Sequence, residues 1–119
     1  MAVGLFSACS KEYISGNYFY PDDFAVDIVN AYRVSSDAIK VDFEVSNLSN
    51  MDYFQGADGN YYLEFGILNN YGEEYFGEAP IGTLYAGEYA RGSIIIRVDP
   101  RASYNLNSIT YDIYDADRY

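Results

Sequence analysis

The sequence predicts an all-β fold, and more specifically an antiparallel β-sandwich made of two sheets. Apolar residues recur at every second position in several short runs, which is the pattern of strands with one buried face. Turn-forming residues separate these runs at regular intervals, as they do in two-sheet sandwiches. No segment shows a sustained apolar pattern at helical spacing, so we expect no long helix.

The first two strands are predicted between Phe24 and Asn47. In the first strand, alternation places Phe24, Val26 and Ile28 on one face together with Tyr32, and Arg33 on the other. The second strand has the clearest alternation in the chain, with polar residues between its apolar ones. Its apolar face consists of Ile39, Val41, Phe43 and Val45.

Four further strands are predicted in the C-terminal half. Their apolar faces are formed by Leu63, Phe65 and Ile67, then by Ile94, Ile96 and Val98, and finally by Ile109, Tyr111 and Ile113. A shorter strand near Glu74 to Gly77 is predicted to pair with the first of these, because the residues from Asn69 to Gly72 suit a hairpin turn. Asp58 and Gly59 suit a second tight turn.

Composition limits the classes of partner. The 119 residues fit one domain and carry a net charge of −11, from 18 acidic and 7 basic residues. This charge repels phosphate backbones, and no basic stripe is present, so we expect no nucleic-acid partner. The chain has 15 tyrosines, which suit strand positions but can also form an exposed binding face.

The only cysteine of the chain, Cys9, follows small residues in the motif Phe6-Ser7-Ala8-Cys9. This motif resembles the lipobox of bacterial lipoproteins, and the resemblance implies that the sulfur of Cys9 receives a lipid that anchors the chain to a membrane. The expected location is the bacterial cell envelope, facing the periplasm or the exterior. Residues 1–12 are then a shortened signal and tether, and residues 13–119 the folded domain. The alternative is an N-terminal strand with Cys9 buried in the core.

Three segments carry a second resemblance, namely 43–49, 84–98 and 109–114. A central strand with a following Asn turn, a turn before the Ile-rich strand and a closing strand resemble small immunoglobulin-like domains of bacterial surface and secreted proteins. The resemblance implies a sandwich of about six to eight strands. The Cys pair and the Trp of antibody domains are both missing, so the implication is limited to architecture.

Catalysis has little support in the sequence. The chain has no His to act as a general base near neutral pH, and Cys9 has no candidate base beside it. Carboxylates that could bind Ca²⁺ occur at Asp22 and Asp23, at Asp52 and Asp58, and at Asp112, Asp115 and Asp117, without calcium-loop spacing. We therefore expect a non-enzymatic protein with no catalytic residue, no metal site and no cofactor.

Binding or scaffolding of a macromolecule, either a protein or a glycan, is the expected function, and we expect a monomer. The aromatic contact candidates are Tyr18, Tyr20, Tyr61, Tyr62, Tyr71, Tyr75 and Tyr89. The predicted binding residues are Asp58, Tyr61, Tyr62, Asn69, Tyr71 and Tyr75. One alternative is a carbohydrate-binding module, whose site is lined by residues 58–62 and 69–71. Another is a surface subunit that assembles by strand addition at an open edge near Ile94 to Ile96.

Overall fold

The computed structural model describes residues 18–118, which form six strands and two short 3₁₀ turns. The strands are β1 (Phe24–Ser35), β2 (Ala38–Asn47), β3 (Tyr61–Leu68), β4 (Glu74–Pro80), β5 (Tyr89–Arg97) and β6 (Thr110–Asp115). The 3₁₀ turns are Pro21–Asp23, before β1, and Ala116–Arg118, after β6. The lipobox-like motif and Cys9 lie outside the described residues.

The strands form two antiparallel three-stranded sheets, which confirms the predicted all-β sandwich. Sheet I has the order β1-β2-β5, and sheet II has the order β4-β3-β6. These orders correspond to strands A-B-E and C′-C-F of an immunoglobulin-like sandwich. Within the described residues, no strand occupies position G beside β6. No helix of the described part has the length and apolar character needed to cross a bilayer.

The core lies between the sheets and is formed by the apolar faces that alternation predicted. Its members include Ile39, Val41, Phe43 and Val45 from β2, Leu63, Phe65 and Ile67 from β3, and Ile94 and Ile96 from β5. Each such side chain contributes about 1.5–3 kcal/mol when fully buried. One end of the core is aromatic, where Phe19 and Phe24 pack against Tyr53 and Tyr61.

A β-bulge at Val29 overturns one predicted strand face. The pairing of β1 with β2 shifts register between Ile28 and Asn30, so the two faces exchange beyond this point. Arg33 therefore pairs with the buried Ile39, and Tyr32 lies on the outer face opposite Lys40. Strict alternation from Phe24 assigned Tyr32 and Arg33 to the wrong faces because one extra residue reverses every later side chain.

The two sheets close tightly along one side of the sandwich, where β4 lies against β5. A Cβ atom on Gly77 would lie 2.7 Å from the backbone oxygen of Ile95 and 3.0 Å from the Cδ1 of Ile94. Only glycine permits this approach of two backbones. The edge near Ile94 to Ile96 is therefore packed against β4 rather than open, which removes the basis for strand addition there. On the opposite side, β1 and β6 make no comparable approach.

Candidate binding face

The candidate binding surface is the outer face of sheet II, where carboxylates and aromatic rings lie side by side. Side chains at even positions of β3 point away from the core, together with the side chains that pair with them on β4 and β6. We call this surface the acidic–aromatic face, and it consists of Tyr62, Glu64, Phe76, Glu78, Asp112 and Tyr114.

Three carboxylates form a row across this face. Glu64 on β3 pairs directly with Glu78 on β4 and with Asp112 on β6. Directly opposed residues have Cβ atoms about 4.5–5.5 Å apart, and like charges at that separation repel. Partial burial, followed by the charges of Glu78, Asp112 and Glu74, raises the pKa of Glu64 above its ordinary value. Among the described residues, no Lys or Arg forms an ion pair with this row.

Aromatic rings flank the row on both sides. The rings of Tyr62 and Tyr114 stack with centroids 5.9 Å apart and an interplanar angle of 21°. The Tyr114 hydroxyl donates a hydrogen bond to Glu78, and this bond is the main reason that the pKa of Tyr114 is raised to about 12. On the other side, the ring of Phe76 covers Gly66, where an added Cβ would lie 3.1 Å from a ring carbon. Phe76 is nevertheless 52% exposed.

The outer face of sheet I also opposes two carboxylates, since Asp27 pairs with Glu44, but a cation lies in the same row because Glu44 pairs with Arg91. Arg91 on β5 donates to Glu44 on β2 at 2.7 Å, and this bond is the largest cause of the raised pKa of Arg91. The Ser93 hydroxyl donates to Asp42 at 2.6 Å. The ammonium of Lys40 lies 6.0 Å from the centroid of the Tyr32 ring. The carboxylate row of sheet II therefore differs from that of sheet I in having no cation in the same row.

Two of the predicted site residues serve the aromatic end of the core. Tyr61 is 1% exposed, its hydroxyl donates to the carbonyl oxygen of Phe19, and its N–H donates to the Tyr53 hydroxyl at 3.0 Å. Burial raises the pKa of Tyr53 to about 12. Asp58 is 8% exposed and accepts the Phe54 N–H at 2.8 Å, which stabilises the turn before β3. Neither residue offers a contact surface.

Three other predicted residues lie at the far end of β3. Asn69 is buried, and its side-chain oxygen accepts the N–H groups of Tyr71 and Glu73, both at 2.9 Å. Tyr71 is 68% exposed at the hairpin tip, and Tyr75 packs edge-on against Tyr104. The eight residues of β3 separate this group from Asp58 by about 26 Å at 3.3 Å per residue. The predicted residues therefore do not form one site, and only Tyr62 belongs to the acidic–aromatic face.

The end of β3 also borders a polar cleft of about 480 Å³. Amide and hydroxyl side chains dominate its lining, which consists of Leu68, Asn69, Asn70, Ser103, Tyr104, Asn105 and Ser108. Several of these groups already hold loops together. Asn70 accepts the Ser103 N–H at 2.9 Å, and the Ser108 hydroxyl donates to the Asn105 carbonyl at 2.7 Å.

Four of the carboxylates considered for Ca²⁺ accept structural hydrogen bonds, namely Asp23, Asp52, Asp58 and Asp115. Asp115 accepts the N–H groups of Asn60 and Asp117, each at 3.1 Å. Asp23 accepts the Tyr20 N–H at 2.8 Å, which stabilises the turn before β1. In the described part of the chain, no three carboxylate, His or Cys side chains converge in a way that could hold a metal ion.

Four residues of this face were not predicted as contacts from the sequence, and Asp112 was considered only as a metal ligand. The four are Glu64, Phe76, Glu78 and Tyr114. Period-two alternation does place Glu64 on an outer face. What alternation cannot show is that Glu78 and Asp112 lie directly opposite it, because register between distant strands depends on packing.

Comparison with protein-family models, with curated proteins and with solved structures finds no match to this chain. The function of the acidic–aromatic face is therefore inferred from its geometry.

Proposed function

We propose that this protein is a non-enzymatic domain of the bacterial cell envelope, anchored to a membrane by lipid on Cys9, that binds or scaffolds another macromolecule. The contact surface is the acidic–aromatic face, and the partner presents Lys or Arg side chains to it. The observation that supports this most strongly is the row of Glu78, Glu64 and Asp112, which has no cation opposite it among the described residues.

The carboxylate row lowers the stability of the free protein. Opposed like charges on a sheet destabilise it, and a basic partner relieves that repulsion on binding. The rings of Tyr62, Tyr114 and Phe76 beside the row supply apolar contact area, and aromatic residues concentrate binding energy in interfaces. A lysine or arginine placed over a ring gains a cation–π contact in addition.

The experiment compares partners retained from envelope extracts by the full-length protein and by two matched variants. Glu64→Gln with Asp112→Asn removes charge from the acidic–aromatic face, and Asp42→Asn with Glu44→Gln removes the same charge from sheet I. We expect a basic partner, identified by mass spectrometry, to be lost only with the first variant and to be released by salt. Loss of that partner only with the second variant would contradict the proposed contact surface.

Anchoring has its own test. The full-length precursor, including any coding sequence upstream of Met1, is expressed in a bacterial host that is fed a fatty-acid analogue. We expect the protein to carry the label and to sediment with membranes, and we expect Cys9→Ser to abolish both. Label that persists in Cys9→Ser would overturn the proposed lipidation.

Carbohydrate binding is a second candidate, and the polar cleft near Asn70 supports it because sugar hydroxyls bind amide and hydroxyl groups. A glycan array probed with the full-length protein would locate such a site. Binding that Asn70→Ala abolishes and Tyr62→Ala leaves unchanged assigns the glycan to the polar cleft. The reverse result assigns it to the stacked tyrosines of the acidic–aromatic face. An array without binding would exclude this candidate for the glycans it contains.

A further inference from the structure

Among residues 18–118, no strand covers the side of the sandwich opposite Gly77, and the edge strand on that side is β6. We call this the open side. In the antiparallel pairing of β3 with β6, the Ala116 N–H bonds to the Asn60 carbonyl at 2.9 Å. Hydrogen-bonded pairs alternate along such a ladder, so Asp112 directs its backbone groups toward β3. Tyr111 and Ile113 therefore direct their N–H and C=O groups away from β3. No described strand pairs with that edge.

The edge of β6 has some of the features that limit strand addition, since it is short and carries Asp112 and Asp115, but it lacks those that block backbone pairing or repel a basic strand. Edge strands are commonly protected by a bulge, a proline or a lysine. The other edge on this side, β1, has the bulge at Val29, and the Asn30 side chain there bonds to the Ala31 N–H at 3.0 Å. Between Thr110 and Asp115 there is no bulge, no proline and no lysine.

A cleft between the two sheets adjoins this edge. It has a volume of about 300 Å³ and lies between the bulged part of β1 and the segment that leads into β6. Its lining is more polar than apolar. It includes Asn30 and Asn107 as well as the partly buried apolar residues Ile28, Ala31, Leu106 and Ile109. A strand beside β6 would point every second side chain into this side of the sandwich.

We infer that this open side binds an extended polypeptide of alternating apolar and basic residues, which pairs with the free backbone groups of Tyr111 and Ile113. Residues of the added strand opposite Tyr111 and Ile113 lie on the same inner face as those two side chains, where an apolar residue is favoured. The residue opposite Asp112 points outward and extends the carboxylate row, so a Lys or Arg is favoured there.

The charge of the molecule argues against a second copy as the occupant. With a net charge of −11, two chains repel each other. Antiparallel pairing of β6 with β6 would also bring the two Asp112 side chains together. A basic strand is attracted to the negatively charged chain and places no second carboxylate beside Asp112.

The experiment titrates the full-length protein, labelled with ¹⁵N, with the capped peptide Val-Lys-Val-Lys-Val and with its acidic counterpart Val-Glu-Val-Glu-Val. We expect the basic peptide to bind about threefold or more tightly than the acidic one. Hydrogen exchange at Tyr111 and Ile113 should slow by at least about tenfold at saturation. The Asp112 side chain is exposed, so we expect Asp112→Lys to keep the fold. In this variant the preference between the two peptides should reverse. Glu44→Lys on sheet I should leave it unchanged.

Three outcomes would overturn the inference. The first is that neither peptide binds, or that protection appears elsewhere. The second is a peptide preference that Asp112→Lys leaves unaltered. The third is that Tyr111 and Ile113 are already protected in the free protein, or become so as its own concentration rises, which would assign the edge to this chain itself. None of these outcomes bears on anchoring. The partner test under the proposed function also substitutes Asp112, but it is distinguished by Glu64, which lies on the central strand and away from the β6 edge: Glu64→Gln alone should weaken retention of the partner and leave protection of Tyr111 and Ile113 by the peptide unchanged.

Discussion

The two long sides of the sandwich differ most clearly in one row of paired residues. Phe65 at the centre of sheet II pairs with Gly77 on β4 and with Tyr111 on β6. On the closed side, Gly77 has no side chain and no room for one, because the Ile95 backbone lies against it. On the open side, Tyr111 has a large side chain that is 49% exposed. Backbone contact therefore closes one side of the sandwich, whereas the described residues leave the other side accessible to another molecule.

The largest expected difference between the sides concerns amide hydrogen exchange. The Asp112 N–H points to β3 and should exchange only when the domain unfolds, which costs about 5–15 kcal/mol in typical domains. The Tyr111 and Ile113 amides point to the open edge and should exchange near their intrinsic rates. Residue-resolved exchange of the free protein measures all three. Equal protection of the three amides would show that the open side does not exist in solution.

The second prediction tests the closed side. Gly77→Ala should lower the free energy of unfolding by about 1–3 kcal/mol, because the added methyl meets a backbone oxygen that cannot move away alone. Tyr111→Ala, in the same row, should cost less than about 1 kcal/mol, since half of that side chain is already in water. Urea unfolding at neutral pH measures both. Equal losses would mean that the two sides are packed alike.

The alternation of apolar residues predicted the strands and most of the core, because a strand with one buried face has apolar residues at every second position. The bulge at Val29 left none, and Tyr32 and Arg33 were assigned to the wrong faces as a result. Tyr61 was expected as a contact residue, but it is buried and its hydroxyl donates to a backbone carbonyl oxygen. The sequence alone does not distinguish such a tyrosine from an exposed one.

The candidate site was less predictable than the fold for a related reason. Its main feature is the opposition of Glu78, Glu64 and Asp112, which come from three strands that are far apart in the chain. The closeness of Gly77 to Ile95 has the same origin. Contacts of this kind depend on sheet order and register, which a single sequence does not specify outside strongly patterned strands.

The third prediction concerns the carboxylate row, which runs from the closed side at Glu78 to the open side at Asp112. Glu64→Lys should raise the free energy of unfolding by about 1 kcal/mol, since it replaces two repulsive cross-strand pairs with two attractive ones. The matched control Glu44→Lys should change the free energy of unfolding little, because it makes the pair with Arg91 repulsive and the pair with Asp27 attractive. Added salt should reduce the effect of Glu64→Lys. A destabilised Glu64→Lys would show that this row is matched by groups we have not identified.

The smallest expected effect is the pH dependence of the same row. The pKa of Glu64 is raised in the folded state, so between its ordinary value and the raised value the folded state binds more protons than the unfolded state. Stability therefore falls as pH rises through this window, and the penalty is complete above the folded-state pKa. Glu64→Gln should match the wild type at about pH 3 and exceed it by a few tenths of a kcal/mol at neutral pH. Urea unfolding across this range measures the difference, and Glu44→Gln serves as the control because Glu44 faces a cation. If the advantage of Glu64→Gln were the same at both pH values, it would come from packing, and the row would carry no electrostatic penalty for a partner to relieve.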